Sequence, residues 1–160
     1  MKSNKGYFLI EYVISISILL FISSFLVGTF VFCKNISNKL SDKIELINHS
    51  IEINNQIDKI ISNSKGILSI SKSYIKLKYK DDFFKEDKVI LFRSNIDKVF
   101  INDLNLNGTL KPGGYEIGAY VDDLNVIING QIATVNLKLK KDKVFYESTF
   151  DIFIKNSEVL

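Results

Sequence analysis

Glu11 stands at the near end of a 22-residue stretch, Tyr12 to Cys33, that carries no charge. A lone carboxylate beside so apolar a run costs about 2.5–3.5 kcal/mol to place in lipid on insertion scales, so it implies a positively charged partner. Other residues suited to chemistry are few. His49 is the only histidine and sits between Asn48 and Ser50 on what reads as the exposed side of a helix, with no base or nucleophile at a supporting spacing. Asp81-Asp82 and Asp122-Asp123 are acidic pairs, but neighbours on a strand point to opposite faces and turn aspartates bond their own backbone, so neither suits general acid-base work. Asp103-Leu104-Asn105-Leu106-Asn107-Gly108 repeats the first half of a calcium loop. Its second half fails, because Gly114 occupies the position of the bidentate glutamate and Pro112-Gly113 interrupts the approach; an Asn-Gly turn is expected there and no metal. Cys33 is the sole cysteine, which excludes an intramolecular disulfide, and it reads as a small apolar helix residue. No catalytic residue and no cofactor is expected, and the chain reads as non-enzymatic.

The elements that must position Glu11 are legible. The 22 uncharged residues rise about 1.5 Å each, giving about 33 Å of helix against a hydrocarbon core of about 30 Å. Lys2 and Lys5 precede the run, which places the N-terminus in the cytoplasm and the remainder outside by the positive-inside tendency. A secretory signal would have a shorter apolar core and a small-x-small site at its far end, and Gly28-Thr29-Phe30-Val31-Phe32-Cys33-Lys34 offers none. Beyond the run the helical period persists through Leu40, Ile44, Ile47 and Ile51, then through Ile53, Ile57, Ile60 and Ile61. One helix from about Tyr7 to Ser64 is predicted, with Gly66 as its stop.

After Gly66 the period becomes twofold. Tyr74 to Tyr79, Val89 to Phe92, Lys98 to Ile101, Leu124 to Asn129, Ile132 to Lys140 and Val144 to Lys155 read as strands, with Asn129-Gly130 as a hairpin turn. The fold class is α+β: a long N-terminal transmembrane-plus-amphipathic helix packed on an antiparallel β-sheet head. The expected organisation is a leader at 1–6, a transmembrane helix at 7–33, its amphipathic continuation at 34–65 and one β domain at 66–160. Charge says little about partners, since 21 basic residues interleave with 18 acidic ones and the net charge is only +3. No basic cluster stands apart.

Lys5-Gly6-Tyr7-Phe8-Leu9-Ile10-Glu11, followed at once by the apolar run, resembles the processing signal of type IV prepilins and pseudopilins. The resemblance implies cleavage between Gly6 and Tyr7 by a membrane-embedded prepilin peptidase, N-methylation of Tyr7, recognition through Lys5, Phe8, Leu9 and Ile10, and a role for Glu11 in assembly. It also implies a pilin-like fold and a place in a type IV pilus, a competence pilus or a pseudopilus of a type II secretion-like system. Two departures, Phe8 in place of a smaller residue and the missing proline deeper in the helix, point away from a major pilin. Head segments Val89 to Arg93 and Tyr115 to Leu124 look like those of minor pilins of the J or W kind or of a Gram-positive competence minor pilin. Implied partners are the peptidase, other pilins along the N-terminal helix, the inner or cytoplasmic membrane, and DNA or a secreted cargo. The other class compatible with these residues is a stand-alone, single-span extracellular binding or sensor protein.

Overall fold

The computed structural model describes residues 5–71, 73–78, 87–105 and 107–154, the side chains of Lys5, Gly6 and Leu68 apart. Lys2, Tyr79, Asp81-Asp82, Leu106 and Lys155 therefore lie outside the described residues. With no proline before Pro112, the chain forms one helix, α1, over Lys5–Asn63. Gly66 is not its stop. Ser64 closes the helix, its N–H and hydroxyl both donating to the Ile61 carbonyl at 3.1 and 2.7 Å, and the Lys65 N–H already pairs with the Lys78 carbonyl. The sheet thus begins where a left-handed glycine was expected.

The chain divides between Ser41 and Asp42 into two units. In the first, every described side chain from Tyr7 to Ser41 is exposed. The hydroxyls of this apolar stretch turn back on their own helix: Ser15, Ser17, Ser23 and Thr29 donate to the carbonyls four residues earlier and Ser24 to the one three earlier, at 2.8–2.9 Å. Such bonds leave these five hydroxyls without need of water, which suits a hydrocarbon surrounding. The helix is long and apolar enough to cross a membrane.

Among the described residues the second unit holds the end of α1 and eight strands: β1 Gly66–Ser71, β2 Tyr74–Lys78, β3 Lys88–Arg93, β4 Lys98–Asp103, β5 Tyr115–Gly118, β6 Val121–Asn129, β7 Ile132–Lys141 and β8 Val144–Phe153. Every pairing is antiparallel, but a single sheet is not what forms: β1 to β5 make one sheet in chain order and β6, β7 and β8 a second. The break falls at Tyr120, held at φ 62°, and at a register shift between Val121 and Asp123, which together redirect the chain. The shift also overturns the alternation expected of Asp122-Asp123, since both side chains are exposed. The β6–β7 turn is made by Gly130 and Gln131 rather than by Asn129-Gly130, and only Gly130 has positive φ, 62°.

One buried cluster joins both sheets to α1 through Leu46, Ile53, Ile57, Ile60 and Ile61. The second predicted stripe packs inward, but the first does not: Leu40, Ile44 and Ile51 are 57%, 50% and 54% exposed. The inward line is Leu46, Ser50, Ile53 and Ile57, and Ser50 hides it from a hydrophobicity pattern. Its hydroxyl is nonetheless buried, bonded to that of Ser148 at 2.7 Å. Ser50 is thus on the packed side of the helix, not the exposed side. Strand β5 approaches α1 closely at Gly118, where a Cβ would run into the Ile53 side chain.

Candidate functional site

Helical spacing stacks Tyr7, Ile10, Glu11, Ile14 and Ser15 on one face of α1, lining a shallow groove. The Gly6–Tyr7 bond lies at the start of the described part of α1. Lys5 and Gly6 belong to the helix by backbone alone, their side chains lying outside the described residues. Tyr7, Phe8, Leu9 and Ile10 are all exposed, from 82% at Tyr7 to 61% at Ile10. No ion pair or side-chain hydrogen bond reaches the Glu11 carboxylate among the described residues, although the Glu11 carbonyl accepts from Ser15. While the serines of the apolar run and Thr29 bond their own backbone, the Glu11 carboxylate has no such partner.

A second cluster lies in the unit from Asp42 onward, and the sequence reading missed it. The Lys141 ammonium, at the end of β7, donates to Glu45 at 2.6 Å and contacts Asp42 at 2.9 Å. It also lies 5.7 Å from the centre of the Tyr120 ring, against which His49 packs edge-on at 5.4 Å. Hydrogen bonding to Glu45, then to Asp42, holds the Lys141 ammonium well above the ordinary lysine range. The bond from Lys141 in turn keeps Glu45 below the usual carboxylate range. Bonded to carboxylates of α1, the Lys141 ammonium fastens β7 to the helix. His49 is half-buried against Tyr120, not solvated as expected, and serves as a packing group. Asp42 and Glu45 at i and i+3 were the available signal, but their partner lay in a segment that reads as a turn.

The partial calcium loop is occupied by its own hydrogen bonds. Asn105 Nδ2 donates to the Thr109 hydroxyl at 2.9 Å, which itself donates to Asn107 Oδ1 at 2.7 Å, while Asp103 faces Lys88 at 3.7 Å. The glycine turn is real, with Gly108 at φ 77°. Asp122 and Asp123 are exposed on β6 with Lys138 among the charges they act on, and Cys33 is exposed on α1. No group of three or more metal-ligating side chains gathers among the described residues. Comparison of the chain with protein-family models, with curated proteins and with solved structures found no match.

Proposed function

We propose that this chain is a non-enzymatic, membrane-anchored filament subunit of the prepilin-like class, a minor pilin or pseudopilin. A peptidase of the prepilin type would cut between Gly6 and Tyr7, and the new Tyr7 amine, N-methylated, would become the cationic end of the mature helix. The observation that carries this reading is a Glu11 carboxylate without a partner among the described residues, in an apolar helix whose serines from Ser15 to Ser24 and Thr29 bond their own backbone. In a bundle of staggered helices the amine of one subunit would lie beside Glu11 of the next, each offsetting the other's desolvation, and the pair would set register as well as attraction. Ile44 and Ile51, exposed on α1, supply apolar surface that a neighbouring helix would cover.

Replacing Glu11 with valine tests the assembly role. Insertion and cleavage should persist, because valine suits lipid at least as well as a carboxylate, while crosslinking to partner pilins falls. Normal crosslinking of Glu11→Val would rule out the pairing. Loss of cleavage together with crosslinking would assign Glu11 to peptidase recognition instead.

A further inference from the structure

β8 is the outer strand of the three-stranded sheet, and no strand pairs with its far side among the described residues. Its pairing with β7 fixes which groups line that side. The two-residue turn between Lys141 and Val144, and the bond from the Ile154 N–H to the Gln131 carbonyl, place the even-numbered residues in the hydrogen-bonded pairs. Phe145, Glu147, Thr149, Asp151 and Phe153 therefore turn their N–H and C=O groups outward. No backbone bond from another described residue reaches them, and all five side chains are exposed.

The other three sheet edges are blunted. β1 carries a register shift between Ile67 and Ser69, β5 has only 4 residues, and β6 shifts register between Val121 and Asp123. Short strands and bulges are the usual means of keeping an edge from pairing. β8 has none of them: 10 residues pair without a shift, and it contains neither proline nor lysine. An unguarded edge of this length suits strand addition, in which main-chain bonds give affinity and alternate side chains give selectivity.

We propose that the β8 edge binds an extended segment of a partner protein as a fourth strand, and that the segment carries basic residues four positions apart between apolar ends. Glu147 and Asp151 stand four residues apart on one face, about 13 Å along the strand, with no basic residue among the five outward positions. Both are held in place from β7, Glu147 by Lys138 at 3.0 Å and Asp151 by the Thr134 hydroxyl at 2.6 Å. Phe145 and Phe153, 57% and 58% exposed, offer apolar contact at the two ends. A second copy of β8 fits poorly. Any antiparallel register with full overlap brings carboxylates opposite or diagonal to one another across the new ladder, where like charges repel.

The full chain in detergent micelles would be titrated into a fluorescent nonapeptide, Ile-Thr-Lys-Thr-Val-Thr-Lys-Thr-Ile, with empty micelles as the blank. Saturable binding is expected, weakened about tenfold or more by Thr149→Pro, whose lost N–H faces outward and takes no part in the β7 ladder, but not by Thr149→Ala, which loses the same hydroxyl bond to Asn136 (2.8 Å) and keeps the N–H. Glu147→Lys combined with Asp151→Lys should weaken binding about tenfold and restore it for a peptide with glutamates at both lysine positions, which also shows that the variant is folded. The proposal is overturned by absence of binding to the wild type, by binding that Thr149→Pro leaves intact, by charge reversal without effect, or by a concentration-dependent dimer of the wild type that Thr149→Pro abolishes.

Discussion

Ile14, Ile18 and Ile22 are 54%, 54% and 51% exposed, whereas Ile53, Ile57 and Ile61, further along the same helix, are fully buried. Helical geometry and side chain are the same in both regions; only the surroundings differ. From Asp42 onward one face of α1 is buried in a cluster with residues of both sheets, and Lys141 meets Asp42 and Glu45 beside it. From Tyr7 to Ser41 no apolar side chain is buried, and the only polar bonds are hydroxyls returning to the backbone. A surface of that kind is matched by hydrocarbon or by other helices, not by water. Hydrophobicity alone therefore does not say which part of α1 builds a core. The supply of partners does.

The sharpest way to break this contrast is a pair of matched truncations. Ile57→Ala should destabilise the β unit by about 2–5 kcal/mol, since the cavity opens in a packed cluster. Ile18→Ala, in the exposed stretch, should leave the same melting transition where it was. Equal shifts in thermal melts of the full chain in detergent would abolish the distinction.

A charge placed in the exposed stretch should act on insertion instead. Leu20→Asp adds about 2.5–3.5 kcal/mol to the cost of spanning and should move the protein out of the carbonate-resistant membrane fraction. Ser23→Ala should not, because the Ser23 hydroxyl is already bonded to the Leu19 carbonyl. Retention of Leu20→Asp in that fraction would mean the helix does not span.

Smaller effects sharpen the account of the second unit. Ser50→Ala leaves the Ser148 hydroxyl without its partner and should cost about 1 kcal/mol, part of which Ser50→Ala with Ser148→Ala recovers. Additive losses in urea melts would show that the two hydroxyls do not act as a pair.

Acid should act on the contact between α1 and β7 through Glu45. Its carboxyl titrates lower in the folded state, chiefly because of the bond from Lys141, so its contribution is present above the ordinary value of 4.5 and is lost as pH falls through the folded value. Lys141 is raised, so its contribution holds below 10.5 and fades only as pH climbs past that. Lys141→Met should therefore lower stability between these limits and flatten its fall toward acid pH. An unchanged acid slope in that variant would show that other carboxylates govern it.

How much of this was legible in the sequence depends on the range of the interaction. The helix and six of the eight strands follow from local period and turn residues, as at Val144 to Phe153. β1 and β5 were missed. Gly66 looks like a helix stop although it opens β1, and β5 has only the 4 residues Tyr115–Gly118. The inward face of α1 was misread because Ser50 interrupts it and earns its burial from Ser148, 98 positions away. The Lys141 cluster was invisible for the same reason, as no local pattern joins it to Asp42. At the N-terminus the candidate residues were read from their types, and α1 stacks Tyr7 and Glu11 on one face as the helical period requires.

The most direct test of the proposed subunit role is the mass of the N-terminus recovered from membranes of cells with an active prepilin peptidase. The account predicts a chain that begins at Tyr7 and bears one added methyl group, with Gly6→Val leaving residues 1–6 attached. Wild-type protein that keeps residues 1–6 in such cells, or a chain beginning at Tyr7 from Gly6→Val, would contradict it.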